Sequence, residues 1–308
     1  MQQQQQQPHQ KKEQESPLIK VLLPKIVEEF SLSPPELKEA PMTEDDILFL
    51  RDECNKESQF DPLNKRKELF DRLVKQEVLY SCRKCPYGQI SVIWDNKQQE
   101  SEMPWDLWAR IFRIFDSGVN PPKDKSQNYF KIYFLANTNL RKFPEKGHKI
   151  KPENINGGYT YSCNKQSVVI YRAEDATRVL IHELMHASCL DDHSLGIDQV
   201  EAETEAWAEL IYIAVISQGK KFIFNSLLQR QSEYMRKQNR KVEEYLTHPH
   251  EFPWRYTIGK QEVWERWGIL SYEDSKPLIR IGNSLRLTFP PDNTLKGRFN
   301  VSKASTIL

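Results

Sequence analysis

The sequence predicts an α+β fold, rich in helix, with a small mixed sheet and two antiparallel helices that share a functional site. Three observations carry this expectation. Several segments place apolar residues at helical spacing, and two short runs are β-branched and aromatic, as strands are. The third is the stretch from Val179 to Ala187, VLIHELMHA, which sets two histidines four residues apart ahead of an acidic segment that begins at Glu201. With 308 residues, 38% of them hydrophobic, the chain can bury a sizeable core in one large or two smaller domains. A net charge of +1 argues against bulk electrostatic attraction to nucleic acid or membrane. No apolar run is long enough for a transmembrane helix.

Residues 1–15 are Gln-rich and polar, and are expected to be a disordered tail with neither a hydrophobic signal core nor an Arg/Ser-rich transit pattern. Residues 16–125 read as an N-terminal helical region. Two Pro-punctuated segments occupy 16–42, and Thr43-Glu44-Asp45-Asp46 resembles a helix start ahead of Ile47 to Leu50. Pro62 to Leu79 reads as an amphipathic helix, and Pro104 to Phe115 as another carrying Trp105, Trp108, Ile111, Phe112 and Phe115. Residues 126–247 form the expected core around the two histidines. It opens on a strand at Lys131 to Leu135. A second strand, Gln166 to Arg172, follows the turn signal Asn156-Gly157-Gly158, with Tyr159 to Cys163 as its hairpin partner. Arg172 to Asp175 then opens the histidine helix. Asp191, Asp192, Ser194 and Gly196 supply the reversal between the two helices. Lys220 to Tyr245 reads as a long charged helix with a solvated face. Residues 248–308 form a C-terminal extension packed on the core, with Trp254, Trp264, Trp267 and a strand at Leu285 to Phe289.

Residues i and i+4 share one face of a helix, so His182 and His186 can aim ring nitrogens at a single ion. Glu183 projects about 100° round the helix, where it reaches a water beside the ion without being a ligand. That is the HExxH zinc signature, with Glu183 as general base and three protein ligands leaving one position for water. The apolar neighbours Val179, Leu180, Ile181, Leu184 and Met185 predict a buried helix. The plainer alternative is a pair of hydrogen-bonded core histidines, which would bury two imidazoles and a carboxylate at a cost no metal offsets.

Two patterns offer a third ligand. One continues HExxHxxGxxH/D and ends at Asp192, but Cys189 stands where that pattern needs Gly, and no Met-turn is visible. The other is a carboxylate on the following helix. Val200, Thr204, Trp207, Ile211 and Val215 form an apolar stripe, with Glu201 and Glu205 along its edge. Glu201 is the first choice as ligand, with Glu205 one turn later receiving the free N–H of a ligand histidine. A shifted register would make Glu205 the ligand and Glu209 its orienter. Glu203 and Glu209 otherwise read as solvated.

HELMH, a short Asp-rich connection, and then E-A-x-x-E-x-W-A from Glu201 resemble the gluzincin kind of zincin metallopeptidase, in particular predicted ones encoded by large DNA viruses. The resemblance covers roughly residues 155–220. It implies a zincin-like fold, Zn2+ held by His182, His186 and Glu201, hydrolysis of peptide or protein substrates through Glu183, and an edge strand before the first helix that pairs with substrate. Gln166 to Arg172 is the expected edge strand. The short spacing from His186 to Glu201 departs from the better-known gluzincins.

An oxyanion donor is also required. Candidates are His193, Tyr212, Tyr234, His248, His250 and Tyr256, of which Tyr212 and His193 lead by proximity in the chain. Five cysteines do not form a disulfide framework and suit a reducing, intracellular compartment, cytoplasmic or within a virion. Cys82 and Cys85 read as a turn with two free thiols, with Cys54, Cys163 and Cys189 single and scattered. Two functional classes follow: a zinc-dependent metallopeptidase, or a noncatalytic, structural protein, virion-associated for example, that keeps the fold and the metal. An intact Glu183 favours the first, since a purely structural site needs no base.

Overall fold

The computed structural model describes residues 16–96, 100, 102–116, 129–270 and 281–289. The expected tail at 1–15 lies outside them. The molecule is α+β, with a six-stranded mixed sheet in the order β1-β2-β3-β4-β6-β5. Its strands are β1 (Lys38–Glu39), β2 (Tyr80–Cys85), β3 (Gly88–Trp94), β4 (Phe130–Ala136), β5 (Gly158–Tyr159) and β6 (Val168–Ile170). β3, β4 and β6 run parallel, and β1, β2 and β5 are antiparallel to their neighbours.

Alternation along the central strands serves two cores. Ile90, Val92, Ile132, Phe134, Val168 and Ile170 enter the main core. Ile93, Tyr133, Leu135 and Val169 enter a smaller one beneath α2 (Glu44–Asn55) and α3 (Lys65–Val74). Because both faces are covered, β6 and Ile132 to Ala136 of β4 read as continuous apolar runs, while β3 carries buried Gln89 and Ser91. The expected helix start at Thr43 is present as a capping box with Asp46, whose carboxylate is fully buried and accepts from Gln89, Lys131 and Tyr133.

The main core takes residues from α1 (Pro17–Ser31), α4 (Trp105–Asp116), the short α5 (Pro152–Ile155), α6 (Ala176–Ala187), α7 (Ile197–Ile216), α8 (Lys221–Glu243) and α9 (Ile258–Arg266). α6 and α7 carry the site. Arg178 meets Glu209, His182 meets Glu205 and His186 faces Glu201, so residue numbers rise along one helix as they fall along the other, and the pair is antiparallel. No helix among the described residues is long and apolar enough to cross a membrane.

Several expectations are corrected. The 16–125 region is not purely helical: it contributes β1, β2 and β3, half of the sheet that continues into the metal-bearing part. Cys82 and Cys85 lie on β2 instead of a turn, both buried and free. The strand within Gln166–Arg172 is internal, and its run of Val168, Val169 and Ile170 is the mark of burial on both faces. The edge is β5, and only its Tyr159 belongs to the expected partner segment Tyr159 to Cys163. The helix expected over Pro62 to Leu79 spans only Lys65–Val74. Leu285 to Phe289 forms no strand, because side chains take its backbone groups instead. Gln238 and Tyr234 donate to the Arg286 carbonyl, Lys260 donates to that of Leu287, and Gln231 accepts from the Phe289 amide. Finally, Cys163 and Cys189 are joined in a disulfide, which ties the loop after β5 to the end of α6.

Candidate metal centre

The i, i+4 spacing on α6 brings the two imidazoles together as the sequence predicts. Nε2 of His182 and Nε2 of His186 lie 3.0 Å apart. Across the helix pair, the Glu201 carboxylate stands 3.5 Å from His182 Nε2 and 3.9 Å from His186 Nε2. One ligand atom from each of the three falls within 4.8 Å of the others. Glu201, and not Glu205, therefore completes the cluster. Glu205 takes the orienting position, with Oε1 3.1 Å from His182 Nδ1, near enough for an ion pair but without the alignment of a hydrogen bond.

His186 has its own carboxylate. Asp191 Oδ2 lies 2.7 Å from His186 Nδ1, and Asp191 Oδ1 accepts from the Thr204 hydroxyl at 3.0 Å. Both Nδ1 atoms thus face acids, so that with the rings neutral and protonated at Nδ1 both Nε2 lone pairs, with the Glu201 carboxylate, would converge on one point. Electron pairs at that spacing repel unless a proton or a cation stands between them. Two imidazole nitrogens and one carboxylate oxygen make a donor set that suits zinc.

A layer of buried charge supports the cluster. Arg178, four residues before His182, contacts Glu205 closely and donates from Nε to Glu209 at 3.0 Å. Lys260 and Thr288 complete Glu209, at 3.1 and 2.7 Å. Glu209 is fully buried, contrary to the expectation of a solvated face, because α7 is packed by α6 on one side and by α9 with the turn Trp254–Tyr256 on another. Glu203 is half-buried and reaches Arg266 at 2.6 Å.

Burial dominates the acid–base balance. It pushes the Glu183 carboxyl up to about 8, opposed by His186 and reinforced by Glu201 and Asp191. It likewise drives His182 down to about 4. For His186 burial acts in the same sense, but the Asp191 hydrogen bond and the charges of Glu183 and Glu201 outweigh it and raise the ring to about 9.

A cavity of about 460 Å³ opens over these residues. His193 and Tyr256 line it. Tyr212, favoured from the sequence, does not: it is buried near Asp175 and Arg286, away from the cleft. Tyr234 donates to the Arg286 carbonyl, and His248 and His250 are exposed away from the cleft. Asp192 accepts from Ser194 and stays outside the cluster. β5 passes beside Glu183, such that a Cβ on Gly158 would lie 2.7 Å from Val179 Cγ1 and 3.3 Å from Glu183 Oε1.

Sequence reasoning missed Asp191, Thr204 and Arg178. The i−4 position of Arg178 from His182 was a readable signal, whereas Asp191 looks like any turn residue. Comparison with known proteins gives no match, whether to a protein-family model, a curated protein or a solved structure.

Proposed function

We propose that this protein is a zinc-dependent metallopeptidase of the zincin type, acting on peptide or protein substrates. The observation that carries the reading is the convergence of His182, His186 and Glu201 on one point, with Glu183 beside them at the wall of an open cleft. These three residues would hold Zn2+, which when bound supplies Lewis acidity toward water and a substrate carbonyl. With a cation bound beside it Glu183 would be held ionised, in spite of the burial that raises its carboxyl, and would take the proton of the attacking water and return it to the leaving amine. Asp191 holds the His186 imidazole by a hydrogen bond at Nδ1, and Glu205 faces Nδ1 of His182. β5, at the end of the sheet and against Glu183, is placed for an extended peptide to add alongside it. Tyr256 and His193 face the cleft as donors for the oxyanion.

The test is cleavage of a mixed-sequence peptide library by the zinc-loaded protein, read by mass spectrometry. Cleavage by the wild type and its loss in a folded, zinc-retaining Glu183→Gln is the expected pattern. Zinc retained with no cleavage by the wild type would leave a structural metal site and end the peptidase reading.

A further inference from the structure

The cleft that holds Glu183 is also lined by Arg141, Ile155, Asn156 and Gly157. Arg141 is only 1% exposed, yet its guanidinium is partly unused. Nε donates to the Ile155 carbonyl at 2.6 Å. Nη1 donates to the Glu174 carbonyl at 2.8 Å and to Glu174 Oε2 at 3.4 Å. Nη2 donates to none of the described residues. It stands directly in front of Gly157, where an added Cβ would collide with it.

Arg141 meets Glu174 at 3.4 Å through Nη1, but the cations beside it lack carboxylate partners among the described residues. Arg172, also 1% exposed, spends its donors on the carbonyls of Asn156, Asn139 and Glu153 and on no carboxylate. Burial, with Arg141 adding to it, pushes its guanidinium down to about 10. The half-buried Lys65 offers its ammonium to no described acceptor, and burial together with Arg172 pushes it down to about 8, with Asp61 opposing and Arg141 reinforcing the shift. Asp61 itself is paired with Arg66 at 3.0 Å. Asp175 is 3.8 Å from Arg141 but closer to Arg286, at 2.5 Å. Glu174 is thus the one carboxylate hydrogen-bonded to any of these three cationic groups among the described residues. Buried positive charge in excess is costly until an anion meets it, and a free arginine nitrogen is matched in geometry and charge by a carboxylate oxygen.

The geometry points to a carboxylate subsite at Arg141, through which the cleft selects peptides that carry a free C-terminus or an acidic side chain close to the bond cleaved. Gly158 faces Glu183 and its neighbour Gly157 faces Arg141. An extended peptide beside this edge advances about 3.3 Å per residue, so the bound carboxylate sits roughly one residue from the bond at Glu183. The inference rests on the peptidase reading and assigns its substrate class.

Binding tests it without turnover. Full-length Glu183→Gln protein, loaded with zinc, is titrated with labelled hexapeptides in matched pairs: free acid against C-terminal amide, and internal Glu against Gln. At least one carboxylate form is expected to bind about ten- to a hundredfold more tightly than its neutral counterpart. Adding Gly157→Ala, with zinc content and melting temperature unchanged, is expected to erase that difference while the neutral peptides still bind; Arg141→Lys serves as the second variant. Loss on amidation assigns the terminal carboxylate, and loss on Glu→Gln assigns the side chain. Equal affinities within every matched pair, in a protein that binds zinc and peptide, overturn the subsite alone. A protein that binds no zinc, or no peptide of either kind, overturns the peptidase reading and the subsite with it.

Discussion

Asp191→Asn isolates the part of the candidate metal centre that lies between the two helices. The substitution keeps the shape of the side chain and an oxygen able to accept from His186 Nδ1, at the position now 2.7 Å away. It removes the negative charge, and the amide group must meet either His186 or the Thr204 hydroxyl, which the present carboxylate satisfies together. A charged acceptor of this kind raises the basicity of the opposite ring nitrogen, and its loss weakens metal binding by about 10- to 100-fold, or roughly 1.4–2.7 kcal/mol. His182 keeps Glu205, so the weakening is expected to be partial. The assay is competition for zinc against a chromophoric chelator at neutral pH, with apo-protein melting as the control for folding. A zinc affinity within about twofold of wild type in a folded variant would refute the role given to Asp191 and the tautomer assigned to His186.

Other consequences are open to measurement. Glu209→Gln leaves Arg178 and Lys260 buried with a reduced countercharge and is expected to cost about 3–5 kcal/mol in urea unfolding; a loss under about 1 kcal/mol would contradict the buried network. Burial alone would raise the Asp46 carboxyl, but hydrogen bonds from Gln89, Thr43 and Lys131 outweigh it and hold the group well below its ordinary 3.8. A depressed folded-state value stabilises the protein above the unfolded value and is lost as pH falls through the folded one. Asp46→Asn is therefore expected to destabilise at pH 7 and to differ less from wild type below about pH 4, and a gap that stays constant through the acid range would refute this. Cys163→Ser opens a link between residues 26 apart and is expected to cost about 3.5 kcal/mol under non-reducing conditions on the chain-entropy account. No change between oxidised wild type and the variant would show that the pairing carries no stability.

What could be read from the sequence was what depends on local periodicity. His182, Glu183 and His186 lie within one helical turn of each other, so their joint geometry is fixed by the helix alone. Glu201 and Glu205 were separable because they sit one turn apart on a second helix. In the structure Glu201 stands nearest the Nε2 atoms and Glu205 beside Nδ1 of His182. Asp191 was not legible, because only the folded turn brings it back to His186. Glu209 was misread because a single stripe was assumed for α7, whereas that helix is packed on several sides. The pairing of Cys163 with Cys189 depends on a loop and a helix end meeting in space, which spacing does not disclose. Leu285 to Phe289 alternates as a strand does, yet Gln231, Tyr234, Gln238 and Lys260 claim its backbone groups. Tyr212 lay on the right helix but turns into the core, while Tyr256, distant in sequence, reaches the cleft.

The most direct measurement is the zinc stoichiometry of purified wild type, Glu201→Gln and Glu205→Gln by inductively coupled plasma mass spectrometry after dialysis against a weak chelator. One zinc per chain in the wild type, lost in Glu201→Gln and held more weakly in Glu205→Gln, is the predicted result. A wild type that retains no zinc, or a Glu201→Gln variant that retains it fully, would contradict the metal centre at His182, His186 and Glu201.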